Sequence, residues 1–366
     1  MNSFKLGCNF SNELPEIIRH LNSEYPQNRI VELYGSRGES HYYAARPEYR
    51  LHHIDKCSFA RYIDELRKIG VAFNYTLNSS FIGGQETILS QESNIKDYIS
   101  FLICAGVQTI TVTIPYMAEI VRSVSRDVGL EVSTIAHIDS VTQAKIWLEK
   151  YAINKICISL NKNRDITFLS RMADYCASNG IIVTLLANEF CGNGLFLKGI
   201  NSTTGCIYRD HCYQLHSIGY DEECIIGNNY PMGNCIQSRN HIISWLKLNF
   251  IRPEDLKLYN SIGINHFKIT GRTGGIAYIE RIARAYMAED YTGNLLDLWK
   301  HLETIKTRDE LGYIPEHYIN NKKLDGFLNY WFENRSHICA NEVCGETCRY
   351  CDSFYNLFLF GKADRT

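Results

Sequence analysis

The residues best suited to chemistry in this sequence are its fourteen cysteines, nine of which lie in two short windows. Five fall between Cys191 and Cys235, and four fall between Cys339 and Cys351. Thiolates are soft ligands that suit zinc ions and iron–sulfur clusters. We therefore expect a metal at each window, whereas the five scattered cysteines are expected to be small buried hydrophobic residues.

The first window has long, irregular gaps between its cysteines and lacks the paired CxxC knuckles of zinc ribbons. This spacing favours a [4Fe–4S] cluster over zinc or over buried thiols without metal, because a loop needs only to bring four sulfurs together in space. Cys224 follows an acidic run at 221–223 and is expected to be the spare thiol. The predicted ligands are Cys191, Cys206, Cys212 and Cys235.

The second window has the spacing Cys339-x4-Cys344-x3-Cys348-x2-Cys351. Four cysteines within thirteen residues indicate a second metal site, which would hold either zinc or another iron–sulfur cluster. The last three also fit the CxxxCxΦC spacing of radical S-adenosylmethionine enzymes, with Tyr350 as the aromatic residue. In those enzymes the motif follows the first strand of the barrel, so its late position here disfavours radical chemistry.

A glycine-rich turn, KITGRTGG at 268–275, runs from a predicted strand into a predicted helix. Gly271 and Gly274 permit close backbone approach, and a helix N-terminus favours an anion. Lys268 and Arg272 add positive charge at the same place. We expect an anionic ligand here, with a simple tight turn as the alternative.

Further polar side chains follow other predicted strands. We assign His137, Glu189 and Arg164 to catalysis, as groups that could transfer a proton or clamp a carboxylate. Arg209 and Asn74 are assigned to anion binding together with the glycine-rich turn. The alternative for each is an ordinary hydrogen bond or salt bridge. The sequence has no GxSxG elbow, HExxH helix or P-loop, so a serine or zinc hydrolase has no support from motifs.

Eight strand-like segments that alternate with helix-like ones must position these residues. The alternation predicts a parallel (β/α)8, TIM-like barrel, with a doubly wound sheet as the rival because it alternates in the same way. The predicted strands are 4–9, 30–34, 71–77, 107–114, 130–138, 155–160, 181–187 and 265–270.

The predicted organisation is a barrel over residues 1–290 with a C-terminal extension, 291–366, packed on it. The barrel includes a long Cys-rich excursion, 191–250, after the seventh strand, and the extension carries the second cysteine group. Because active sites of such barrels lie at the carboxyl ends of the strands, the excursion is expected to lie over the barrel mouth.

The composition is that of a soluble globular protein, with 45% apolar and 21% charged residues. The net charge of −2 gives no support to a nucleic-acid coat or an anionic membrane surface. The N-terminus has no signal-peptide pattern, and the longest uncharged stretch, 98–118, is too polar to span a membrane. We expect a cytoplasmic protein, whose substrate could be a small molecule, a peptide or RNA.

Several motifs resemble those of the collagenase-like peptidase family U32. The most specific is FIRPEDLKLYNSIGINHFKITGR at 250–272, and NExC at 188–191 with CxYR at 206–209 agrees with it. Shorter matches are YGS at 34–36, NYTLN at 74–78, NKNRD at 161–165 and CGETCRYC at 344–351. The resemblance covers nearly the whole chain and implies a TIM-like barrel.

The resemblance also implies two kinds of activity. Some family members are peptidases of unsettled catalytic type, and others are oxygen-independent hydroxylases with a cysteine-bound [4Fe–4S] cluster, acting on ubiquinone precursors or RNA bases. Prephenate is implied as the hydroxyl donor in part of that group, and some members have a partner subunit. Cys191 and Cys206 match the family's cysteines, whereas the fourteen-residue gap after Cys191 is longer than expected.

The sequence and the resemblance together leave three functions open. The favoured one is an iron–sulfur-dependent hydroxylase or related redox enzyme that uses an anionic, prephenate-like donor. The second is a peptidase, which rests on the family resemblance alone. The third is a non-catalytic binding or maturation partner, in which the metals only staple the fold.

Overall fold

The computed structural model describes residues 1–38, 43–46, 51–189, 245–272, 274–299 and 319–359. Eight parallel strands form a closed barrel in chain order, and β8 pairs with β1. The predicted (β/α)8 class is therefore confirmed. The strands are β1 Asn2–Gly7, β2 Asn28–Gly35, β3 Ala72–Leu77, β4 Thr109–Val112, β5 Gly129–Val132, β6 Lys155–Cys157, β7 Ile182–Leu186 and β8 His266–Ile269.

Among the described residues, a helix follows each strand and covers the outside of the barrel. These helices are α1 Leu14–Glu24, α2 Lys56–Lys68, α3 Leu89–Cys104, α4 Pro115–Val124, α5 Val141–Tyr151, α6 Ile166–Ser178, α7 Leu256–Asn260 and α8 Ile276–Ala288. Two short helices, α9 Asn329–Glu333 and α10 Tyr350–Phe354, lie in the C-terminal segment. None of the helices in the described ranges is both long enough and apolar enough to cross a membrane.

Local sequence explains how several helices begin and pack. In α1 the buried residues Leu14, Ile18 and Leu21 recur at helical spacing and face the barrel. Helix α5 begins with a reciprocal capping box, in which Ser140 and Gln143 satisfy each other's backbone N–H groups. Such caps satisfy the first amide donors of a helix, which have no partner within it.

The fifth strand differs from the prediction. β5 ends at Val132, because the Ser133 hydroxyl accepts the Ile135 amide and starts a short 3-10 turn. His137 therefore lies beyond the strand and adopts a left-handed backbone with φ of 52°. Gly129 begins β5, and α4 already ends at Val124.

Aromatic stacking attaches the C-terminal segment to the part of the chain that returns after the seventh strand. Phe327 stacks on Phe250 with ring centroids 6.2 Å apart and on Tyr350 at 5.6 Å. Arg252 Nη1 donates to the Asn321 carbonyl oxygen at 2.6 Å. The segment thus packs against the barrel unit, whereas the predicted boundary at residue 290 stays a prediction.

Candidate functional site

Charged side chains fill the inside of the barrel. Lys5 Nζ donates to Glu131 Oε2 at 2.6 Å and lies 3.5 Å from Glu32 Oε1. Lys155 also pairs with Glu32. Asn74 donates to Glu32 Oε1 at 3.0 Å and to Glu131 Oε2 at 2.7 Å. Two cations and two carboxylates therefore balance one another in a buried network.

Attraction between opposite charges favours the ionised forms of Lys5 and Glu32 despite their burial. Burial alone would lower the pKa of Lys5, but Glu131 and Glu32 raise it well above its usual value. Burial would raise the pKa of Glu32, but Lys5 and Lys155 bring it down to about 2. Both amide hydrogens of Asn74 are engaged by carboxylates, so the structure places this predicted anion-binding residue inside the barrel network.

The barrel mouth holds two further cations, Lys268 and Arg272, that are 7% and 8% exposed. Lys268 Nζ lies 4.0 Å from the Tyr34 ring centroid, and Arg272 Nη1 donates to Thr76 Oγ1 at 3.0 Å. Neither cation pairs with any carboxylate in the portion of the chain that the structure describes. A buried charge without a counter-charge is costly, so these two cations are the candidate site for an anion.

Burial and a neighbouring positive charge change the pKa of Arg272. Burial lowers the pKa of Arg272 to about 10, and the neighbouring Arg46 charge adds to the effect. The same Arg272 charge opposes the burial that raises the pKa of Tyr34, the residue whose ring contacts Lys268. Lys268, Arg272 and Tyr34 thus form a cationic mouth cluster.

Glycines bring the backbone close at this cluster. A Cβ on Gly7 would lie 2.8 Å from the Arg272 amide nitrogen, so only glycine fits there. Gly271 has φ of 133°, and a Cβ on it would lie 2.8 Å from Tyr278 Cε1. Gly274 is equally confined by Tyr278, at 2.5 Å. The predicted glycine-rich turn is therefore a tight turn that also aims Arg272 into the mouth.

Both ends of the Cys-rich excursion are anchored beside the mouth. Asn188 follows β7. Its Nδ2 donates to the Thr270 carbonyl oxygen at 3.2 Å, and its Oδ1 accepts the Thr270 amide hydrogen at 2.6 Å. The returning chain bonds to the same strand end through Ile251 N and Ala187 O at 2.9 Å. The cysteines at 191–235 thus belong to a segment that leaves and re-enters at the mouth.

Two titratable residues lie near this mouth. Glu189 comes directly before the Cys-rich excursion, and its charge acts on Tyr34. His137 Nδ1 lies 3.4 Å from Ser159 Oγ, and that hydroxyl donates to Asn161 Oδ1 at 2.6 Å. Both predicted proton-transfer residues are half-buried.

Arg164 makes its contacts elsewhere. Its Nη2 donates to the Leu246 carbonyl oxygen at 3.0 Å, and its guanidinium carbon lies 4.4 Å from the Trp331 ring centroid. Both partners belong to the returning chain and the C-terminal segment, and neither contacts the cationic mouth cluster. Its predicted catalytic role stays a prediction, but these contacts associate it with the second cysteine group.

The predicted cluster ligands Cys191, Cys206, Cys212 and Cys235, and the anion-binding Arg209, lie outside the described residues. Cys339, Cys344, Cys348 and Cys351 form no disulfide and are half-buried. Of the scattered cysteines, Cys57 and Cys104 are exposed, so the expectation that all five are buried is wrong for these two. Within the described ranges, no group of three or more His, Cys, Asp or Glu side chains is already arranged around a common metal position.

Sequence reasoning missed the barrel network and the role of Tyr34. The available signal was the presence of Lys5, Glu32, Glu131 and Lys155 within otherwise apolar strands. A charge in a strand predicted to be buried requires a partner, but the sequence does not identify which strand supplies it.

A family model described as Peptidase family U32 matches residues 42–320. The chain belongs to peptidase family U32. An uncharacterized protease of Methanocaldococcus jannaschii is 29% identical to this U32 chain over 297 residues, which cover 80% of the chain and 78% of that protease.

Solved structures resemble this U32 chain more distantly. A structure titled as the U32 peptidase Mk0906 aligns with a TM-score of 0.46 and 12% identity, covering 74% of this chain and 93% of that one. A GH113 β-1,4-mannanase aligns with a TM-score of 0.37 and 11% identity, covering 78% and 97%.

Proposed function

We propose that this U32 protein is an iron–sulfur-dependent enzyme that binds an anionic, prephenate-like donor at the barrel mouth. The reaction class is an oxygen-independent hydroxylation or a related redox modification. The observation that carries the proposal is the pair of buried cations, Lys268 and Arg272, neither of which has a carboxylate partner among the described residues.

A dicarboxylate matches this pair of cations. Arg272 presents a planar fork that can hold one carboxylate through two N–H groups, and Lys268 offers a point charge to a second one. Tyr34 donates its hydroxyl to the Ile269 carbonyl oxygen at 3.0 Å and leaves its ring face against Lys268. The ring thereby fixes the ammonium group before the ligand arrives.

The residues available for a cluster fit this location. Five cysteines lie on a segment whose two ends are anchored at β7, and thiolates are the ligands that iron–sulfur clusters require. Cys191 and Cys206, with Cys212 and Cys235, would hold it. When bound, a cluster held by four cysteines would supply one-electron redox chemistry at the mouth.

Proton transfer is assigned to Glu189 and His137. Glu189 lies shortly before Cys191 in the sequence, and its charge acts on Tyr34 of the cationic mouth cluster. His137 is held by Ser159 and by its left-handed backbone, a conformation that costs energy for a residue other than glycine.

Calorimetric titration of the anaerobically purified full-length protein with prephenate tests the anion site. Losing one charge-assisted contact costs about 1.5–3 kcal/mol, so Arg272→Gln should weaken binding about 10- to 150-fold. Phenylpyruvate, which has a single carboxylate, should bind the wild type more weakly than prephenate. The matched control is Arg126→Gln, an exposed arginine on the loop before β5.

The anion assignment is wrong if Arg272→Gln and Arg126→Gln bind prephenate equally, or if the wild type does not distinguish the two acids. Iron content measured on the same samples separates a lost anion site from a lost cluster, because neither arginine is a cluster ligand.

Peptide hydrolysis is the second candidate, favoured by a Ser–His pair at the carboxyl end of the barrel. Ser159 Oγ lies 3.4 Å from His137 Nδ1, an arrangement compatible with an activated serine nucleophile. The present hydrogen bond from Ser159 to Asn161 would have to be exchanged first. Hydrolysis of denatured collagen that survives iron chelation but is abolished by Ser159→Ala would favour this function over the first.

A further inference from the structure

Arg164 is a buried cation that has no carboxylate partner among the residues that the structure describes. It is 2% exposed, and Nη2 donates to the Leu246 carbonyl oxygen at 3.0 Å. Its Nε is also buried, and no described residue accepts a hydrogen bond from it. None of the described carboxylates pairs with it, so the contacts that the structure shows leave its charge unneutralised.

Aromatic rings surround this guanidinium group but do not neutralise it. Its carbon lies 4.4 Å from the Trp331 ring centroid, 5.2 Å from that of Phe327 and 5.5 Å from that of Phe250. A cation–π contact gives about 0.5–2 kcal/mol, whereas removing an ion from water costs several kcal/mol. The rings therefore enclose the guanidinium group but do not neutralise its positive charge.

Two thiols of the second cysteine group contact the same residues that Arg164 contacts. Cys351 Sγ lies 3.7 Å from the same Leu246 carbonyl oxygen that accepts from Arg164. Cys339 Sγ accepts the Trp331 Nε1 hydrogen at 3.1 Å, and the Trp331 ring also lies under the guanidinium group. Two of the four sulfurs are thus in the immediate surroundings of the buried cation.

The other two cysteines lie on one tight turn. Cys344 and Cys348 form a backbone bridge, and Gly345, with φ of 90°, donates its amide to the Cys348 carbonyl at 2.8 Å. Lys247 pairs with Asp352 at 3.0 Å, so Arg164 is the cation here without a carboxylate in the described structure.

We propose that Cys339, Cys344, Cys348 and Cys351 bind one zinc ion and that Arg164 is its buried counter-charge. A zinc ion with four thiolates carries a net charge of −2, which supplies the anion that Arg164 lacks. Binding releases the four thiol protons to solvent. The site is separate from the proposed barrel-mouth cluster and does not depend on it.

Metal binding would replace the present contacts of the sulfurs. Cys351 would leave the Leu246 carbonyl, Cys339 would leave Trp331, and Cys348 would leave His337 Nε2, now 3.6 Å away. The gaps of three and two residues between the last three cysteines lie within the range of structural zinc sites. The ion would fix residues 339–351 against Arg164 and, through Leu246, against the returning chain.

Zinc and iron analysis of the full-length protein tests the site. Wild type should carry one zinc per chain, Cys344→Ser and Cys348→Ser should lose it, and the control Cys57→Ser, an exposed cysteine on α2, should keep it. Zinc that persists in both serine variants would overturn the proposal. Loss of iron instead of zinc would overturn the choice of metal.

The counter-charge is tested by chelator competition. Arg164→Met should lower zinc affinity about 10- to 100-fold, as expected when a residue supporting the metal ligands is lost, and Arg164→Lys should retain most of it. Equal affinities in the two variants would refute the charge role. Because a substitution could unfold the segment, Co²⁺ exchange into the unaltered protein gives an independent reading: thiolate-to-metal charge-transfer bands are expected, and their absence overturns the site.

Discussion

The Glu131→Gln substitution tests whether charge balance inside the barrel stabilises the fold. The wild-type network holds two cations and two carboxylates, and Glu131 Oε2 accepts hydrogen bonds from Lys5 at 2.6 Å and from Asn74 at 2.7 Å. Both partners in the Lys5–Glu131 pair are at most 2% exposed. Glutamine keeps the shape but leaves one net positive charge, and breaking such a buried pair costs about 3–5 kcal/mol.

Urea unfolding followed by circular dichroism measures this loss as a change in the free energy of unfolding. The matched control is Glu149→Gln, because Glu149 is 62% exposed and makes only a surface ion pair with Lys145 at 3.6 Å. The control should change stability by at most about 1 kcal/mol. If Glu131→Gln lowers the free energy of unfolding by less than about 1 kcal/mol, the conclusion that it leaves Lys5 with an uncompensated buried charge would be refuted.

Three other predictions concern pH, backbone and binding. Because the folded pKa of Glu32 is about 2, below its usual 4.5, its stabilising contribution should be complete above pH 4.5 and lost as pH falls toward 2; urea unfolding across this range should show the loss, and Glu32→Gln should flatten it. Gly271→Ala should cost about 1–3 kcal/mol in thermal unfolding because of its positive φ and the nearby Tyr278 ring, whereas Gly275→Ala, with open space around it, should be nearly neutral; equal effects would contradict the packing account. Lys268→Met should weaken prephenate binding about 10-fold or more without reducing iron content, and unchanged binding would remove Lys268 from the anion site.

The sequence predicted the barrel because alternation of strands and helices is a local property. The helix cap at Ser140 is local in the same sense, since its partner Gln143 is three residues away. The end of β5 was mispredicted because residues 133–138 are apolar enough for a strand, yet the Ser133 hydroxyl captures the Ile135 amide and turns the chain. A single side-chain hydrogen bond therefore outweighed the strand-like composition.

The site was predicted only where it is local in sequence. Lys268 and Arg272 lie four residues apart beside glycines, and the structure brings both to the mouth. By contrast, the Lys5–Glu131 contact joins residues 126 positions apart, and no local pattern specifies it. Arg164 was predicted to clamp a carboxylate because it follows a predicted strand, and the strand ends form the barrel mouth. Its aromatic partners, however, come from the C-terminal segment, which no local pattern indicates.

Iron and acid-labile sulfide analysis of the anaerobically purified protein, with a visible spectrum, tests the central claim most directly. The account predicts about four irons and four sulfides per chain, with the iron–sulfur chromophore retained in the control Cys104→Ser and lost in Cys191→Ser and Cys206→Ser. A protein without iron, or a chromophore that persists in both Cys191→Ser and Cys206→Ser, would contradict an iron–sulfur enzyme at the barrel mouth.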